Sequence, residues 1–155
     1  MKLTHLLATT TIIAGCTLLL TPASANAATK WHNGTPKAIR GNWYHNGSNK
    51  AYLTYTATKS IGNVFDKSDA DNTYYKEIGY GLKNIKYKQL SKRVYELTGI
   101  QYSPKGTKVQ FDGQRMTYKV MAVSKTQLHF YKGGYLKYTS KPTFKIVTSN
   151  HTFTD

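Results

Sequence analysis

The chain has 155 residues, 22 of them Lys or Arg and seven Asp or Glu, for a formal net charge of +15. That length is one domain's worth. A single cysteine excludes a disulfide-stapled scaffold, and seven acids leave little for paired-carboxylate catalysis.

Residues 1–27 read as a secretory signal peptide. Lys2 opens a basic segment, 6–20 is apolar except for Thr, Gly and Cys, Pro22 ends the run, and Ala23-Ser24-Ala25-Asn26-Ala27 offers cleavage after Ala25 or Ala27. The domain is then 28–155, extracellular, with no cysteine and a net charge of +14 once Lys2 is removed. Ile13-Ala14-Gly15-Cys16 also fits lipidation at Cys16. The apolar run continues through Thr17-Leu18-Leu19-Leu20, which favours ordinary secretion. A small exported domain without disulfides points to a Gram-positive source.

In chain order, Thr35-Pro36-Lys37-Ala38 reads as one helical turn with Thr35 as N-cap, Pro36 at the first position and Gly41 just beyond. Trp43-Tyr44 lies on a first strand, and His45-Asn46-Gly47-Ser48-Asn49 turns the chain. His32-Asn33-Gly34 repeats the His45-Asn46-Gly47 tripeptide and reads as a similar turn. A strand over 50–59 alternates Ala51, Leu53, Tyr55 and Ala57 against Tyr52, Thr54, Thr56 and Thr58. The segment 66–72 is a polar loop. Strands follow at 73–80, 85–90 and 93–102, and 103–106 turns. A meander then takes 107–111, the Asp112-Gly113 hairpin, 115–123 with Met116, Tyr118 and Val120 facing together, 127–132, the Gly133-Gly134 turn, 135–139 and 143–147. The expectation is an all-β domain: a single antiparallel barrel of about eight strands, which closes its own edges.

Many Tyr stand beside Lys, as in Tyr75-Lys76, Lys86-Tyr87-Lys88, Tyr118-Lys119 and Lys137-Tyr138. Strand neighbours point to opposite faces, so this pattern first separates core Tyr from surface Lys. An aromatic and basic binding face would need both at spacing i, i+2, as with Tyr135 and Lys137. Asp66, Asp69, Asp71 and Glu77 fail the EF-hand template, because Ala70 takes a ligand position and Asp71 the glycine position; a solvated loop is expected. His32, His45, His129 and His151 lack metal-ligand spacing. No nucleophile, zinc or phosphate-loop motif is present.

These readings predict a protein that is not an enzyme and needs no cofactor or metal. The expected partner is an anionic cell-wall polymer or membrane surface, met by Lys86, Lys88, Lys92, Arg93 and Lys137. With three arginines in the whole chain, the positive field is diffuse. The alternative is a small hydrophobic ligand inside the barrel, lined by Trp43, Tyr55, Met116, Tyr118 and Phe130, although so many aromatics predict a filled interior. A monomer is expected, and nucleic acid is not the expected partner.

The run Thr35-Pro36-Lys37-Ala38-Ile39-Arg40-Gly41-Asn42-Trp43, a helical turn leading to Gly-x-Trp on a first strand, resembles the opening of lipocalin-like barrels. The mature chain is similar to the small secreted lipocalin-like proteins of lactic-acid bacteria. The resemblance implies that Trp43 closes one barrel end under a basic side chain from a late strand, Lys141 or Lys145. It implies no activity.

Overall fold

The computed structural model describes residues 30–103, 109–131 and 135–147. The signal peptide, Cys16, and most of the 103–106 turn lie outside them. Eleven strands and one 3-10 turn are found among the described residues: β1 (His32–Asn33), the turn Lys37–Ile39, β2 (Gly41–His45), β3 (Ala51–Tyr55), β4 (Ser60–Lys67), β5 (Tyr74–Lys76), β6 (Gly81–Gln89), β7 (Val94–Tyr102), β8 (Arg115–Ser124), β9 (Gln127–Tyr131), β10 (Tyr135–Thr139) and β11 (Ile146–Val147). The protein is all-β, as its period of two predicts.

Five local readings are corrected. The strand expected over 50–59 ends at Tyr55, because Thr56 and Lys59 turn the chain: the Lys59 amide donates to Thr56 Oγ1 at 3.1 Å and the Thr56 amide to the Lys59 carbonyl at 2.9 Å. β4 then starts at Ser60 and runs through Lys67 into the expected loop. The stretch 109–114 turns instead of forming a strand. Gly113, at φ +81°, donates to the Gln101 carbonyl at 2.9 Å, so this turn packs on the end of β7 and leads into β8. Thr35 does not cap the turn. Pro36 holds that position, and the buried Thr35 hydroxyl donates to the Thr56 carbonyl. The two His-Asn-Gly tripeptides also differ: the first enters through β1, while the second leads out of β2.

Eleven strands replace the expected eight, and they do not form a continuous closed ladder. Their order is β1-β6-β7-β8-β9-β10-β2-β3-β4-β5-β11, with short β1 and β11 at the two edges. All pairings are antiparallel except β11 with β5. The sheet nevertheless curls until β4 meets the start of β6. Gly62 and Tyr80 exchange backbone hydrogen bonds of 2.8 and 3.2 Å in an isolated antiparallel bridge. Beside them the Leu82 amide donates to Ser60 Oγ at 3.1 Å, and the Ile85 amide to the Thr58 carbonyl at 3.2 Å. These bonds occupy backbone groups that the curl would otherwise bury unpaired.

The concave face holds the core. Ile39, Trp43, Tyr55, Leu97, Val120 and Leu128 are all at most 3 % exposed and fill one end. Met116, Tyr118 and Val120 share this face as their spacing predicts. The convex face is wet over β6–β8 but not over β2–β4. There Tyr44, Tyr52, Phe65, Tyr74 and Phe144 form a second aromatic cluster, with ring centroids 5.0–6.5 Å apart. Lys76 caps the Tyr52 ring at 4.1 Å.

Candidate functional site

Register places Gly62 opposite Leu53 and Val64 opposite Ala51, while Gly99 stands opposite Met116. Leu53, Gly62, Ala51, Val64 and Met116 border a cleft of about 670 Å³. That volume lies within the range of roughly 300–1,000 Å³ usual for small-molecule sites. Leu53, Leu82, Met116 and Phe130 form its apolar walls. Val64, Tyr80 and Leu136 stand at the cleft with 45, 38 and 36 % of their surface exposed. No Lys, Arg, Asp or Glu stands among its described lining residues, although the chain carries 22 basic side chains.

The interior candidates therefore divide. Met116, Tyr118 and Phe130 line the cleft. Trp43 and Tyr55 belong to the packed floor, at 3 and 2 % exposure. Trp43 Nε1 donates to the Ile39 carbonyl at 2.7 Å, fixing the 3-10 turn across that end. Lys141 and Lys145 are placed elsewhere: their carbonyls accept from Asn46 Nδ2 and the Tyr74 amide. The expected filled interior is thus filled only at the Trp43 end.

Tyrosine hydroxyls supply much of the cleft's polarity. Tyr118 donates to Tyr55 at 3.1 Å, below the apolar walls. Burial raises the pKa of both phenols; for Tyr55 the neighbouring Tyr118 adds to the rise. Burial also raises Tyr138, with Tyr80 adding to it. On the convex face burial, then Glu77, pushes Tyr52 up to about 12. A phenol with a raised folded-state pKa contributes stability that is intact below its unfolded value near 10 and is lost as pH rises through the folded value. Unfolding free energy should therefore be flat from about pH 7 to 9 and fall between about pH 10 and 12, with Tyr55→Phe reducing the fall. Urea titrations at stepped pH check this.

Two further polar features were visible in the sequence only as residue types. Asn63 Nδ2 donates to the Ile78 carbonyl at 2.7 Å, tying β4 to the segment before β6. Gln101, on β7 opposite Leu82, is 6 % exposed and faces the cleft. Its signal was a polar residue at an inward position of an alternating strand.

The basic candidates lie on the convex side and do not gather into one cluster. Lys86 is exposed on β6 and Lys137 on β10, on separate parts of the sheet. Lys88 Nζ bonds Glu96 Oε1 at 2.7 Å and lies 5.0 Å from the Trp31 ring, so its charge is locally compensated. Lys92 and Arg93 sit in the β6–β7 turn, where Arg93 donates to the Val123 carbonyl at 3.0 Å. Tyr and Lys separate as alternation predicts: Tyr87, Tyr118 and Tyr138 turn inward while Lys86, Lys119 and Lys137 face out.

No family model, curated protein or solved structure matches this chain.

In the 66–72 loop, Asp71 Oδ1 accepts the Thr73 hydroxyl at 2.6 Å and the Thr73 amide at 3.2 Å. The hydroxyl bond leads the lowering of the Asp71 pKa. That carboxylate closes a local turn, and no three His, Cys, Asp or Glu among the described residues are grouped to hold a metal.

Proposed function

We propose that the protein is a non-enzymatic binding protein, a lipocalin-like container whose curled sheet holds one small apolar ligand. The observation that carries this reading is the uncharged cleft of about 670 Å³ in a chain of net charge +15. A solvated surface of this composition scatters lysines everywhere. Their exclusion from one concave, apolar-walled region is what a hydrophobic ligand requires, because a charge facing it would lose its hydration. The resemblance of residues 35–43 to the opening of lipocalin-like barrels supports the same reading, with Trp43 closing the floor.

A second role, retention at an anionic envelope after export, is supported by the exposed Lys86, Lys92 and Lys137 on the outer surface. The two roles use opposite faces and coexist. One salt series separates them. N-phenyl-1-naphthylamine, an uncharged fluorescent probe, should bind the purified protein saturably and with less than about a twofold change between 0.05 and 0.5 M salt. Val64→Trp, which places an indole at the cleft, should weaken the probe by about fivefold or more. Sedimentation with isolated teichoic-acid-bearing walls should fall over the same range, because screening there shortens the reach of surface charge. Absence of probe binding, or binding indifferent to Val64→Trp, overturns the container; wall binding that resists salt overturns electrostatic retention.

A further inference from the structure

One buried polar atom in the cleft has no partner among the described residues. Gln101 is 6 % exposed, and its Oε1 finds no hydrogen-bond donor among the described residues. Its backbone is fully used: the amide donates to the Gln114 carbonyl at 2.8 Å, and the carbonyl accepts from Gly113 at 2.9 Å. The side chain is therefore held on the inner face by the strand itself. Nearby polar groups are spoken for. Among the donors, Asn63 Nδ2 donates to the Ile78 carbonyl, the Tyr118 hydroxyl donates to Tyr55, and Ser60 pairs with Tyr118.

An unmet buried acceptor costs free energy in the empty protein, of the order of a whole hydrogen bond. A leucine or methionine would fill the same volume without that cost. The walls around it are Leu82 and Met116, and no Lys or Arg stands among the described lining residues to balance a bound anion.

From this geometry we infer that the cleft selects an uncharged apolar ligand carrying a hydrogen-bond donor, a hydroxyl or an N–H, which it gives to Gln101 Oε1. The inference rests on the container reading above. It narrows that reading from "apolar" to a ligand of defined polarity: one donor on an otherwise hydrophobic frame, with no formal charge. Gln101 is then a specificity residue, since a frame lacking the donor leaves the amide oxygen buried and unpaired again.

The test uses three probes of one shape on the purified protein by equilibrium dialysis: 2-naphthol, which has the donor; 2-methylnaphthalene, which lacks it; and 2-naphthoate, which carries a charge. The quantity read is the preference for 2-naphthol over 2-methylnaphthalene in wild type compared with Gln101→Met. The preference should drop about tenfold in the variant, because methionine removes the acceptor but keeps the volume. 2-Naphthoate should bind wild type at least about tenfold more weakly than 2-naphthol. Gln101→Leu serves as a second variant should Met repack, and thermal unfolding checks that either is folded. Binding of both neutral probes with a preference unchanged in both variants overturns the role of Gln101 and leaves the container standing. Tighter binding of 2-naphthoate than of 2-naphthol overturns the requirement for a neutral ligand. Binding of none of the three overturns the container reading itself.

Discussion

Replacing Gly81 by alanine should lower the unfolding free energy by about 3 kcal/mol, the upper end for forcing atoms into a packed site. A Cβ at Gly81 would lie 2.0 Å from the Ser60 carbonyl oxygen and 2.5 Å from its carbon. Both are backbone atoms, so no side-chain rotation relieves the contact. β4 and β6 would have to separate where the Gly62–Tyr80 bridge and the Leu82–Ser60 bond hold the curl. The same variant should weaken ligand binding, because Gly62, Tyr80 and Gly81 all line the cleft. Gly113→Asn is the control. Gly113 sits in an exposed turn at φ +81° with nothing near its absent Cβ, and asparagine tolerates that conformation; the change should be below about 1 kcal/mol. Urea denaturation of the three proteins gives both differences, and a Gly81→Ala as stable as wild type would mean that the seam is not a structural contact.

Trp43→Ala should cost about 4 kcal/mol, within the range for emptying a buried aromatic site. Trp43 is 3 % exposed and packs with the fully buried Ile39 and Leu97. Its loss opens the filled end and leaves the Ile39 carbonyl without the indole donor. Trp43→Phe separates the two effects. It keeps most of the ring volume and removes the hydrogen bond, for an expected loss of about 1–2 kcal/mol. Because Trp43 forms the floor and does not line the cleft, Trp43→Phe should leave N-phenyl-1-naphthylamine affinity within about twofold of wild type. A binding loss as large as that of Val64→Trp would instead place the ligand against the indole.

How far the sequence alone reached follows the range of the interactions. Alternation is local, so β7 at Val94–Tyr102 was legible to within a residue, and so was the shared face of Met116, Tyr118 and Val120. The separation of Tyr87 from Lys86 followed from the same period. β4 was not legible. Ser60-Ile61-Gly62-Asn63-Val64-Phe65-Asp66 carries glycine, asparagine and aspartate among its strand formers, and it is held as a strand by β3 on one side and β5 on the other. Alternation along β3 does not say that both faces are covered, yet Tyr52 on its convex face is buried, because Phe65 and Lys76 cover it from later strands.

The cleft itself was hidden for a similar reason. Trp43, Tyr55, Met116, Tyr118 and Phe130 were all identified as inward, but which of them pack and which border a void depends on what faces them across the curl. The void lies among Leu53, Leu82, Met116 and Phe130, which four different strands bring together, and alternation along one strand does not show what faces it from another. Gln101 was polar at an inward position, a conflict that only burial makes visible. The lysine candidates were read as a cluster because Lys86, Lys88, Lys92 and Arg93 are close in sequence. On the sheet, Glu96 from the next strand takes Lys88, and Arg93 bonds a carbonyl.

The central claim is that a neutral apolar molecule is held inside the curled sheet, and an amide-resolved NMR titration of the isotope-labelled protein with 2-naphthol tests it most directly. The account predicts saturable shifts concentrated at Leu53, Gly62, Leu82, Gln101 and Met116, with Lys86, Thr98 and Lys119 on the convex face unmoved. Shifts confined to the convex face, or no saturable shifts near the solubility limit of 2-naphthol, would contradict it.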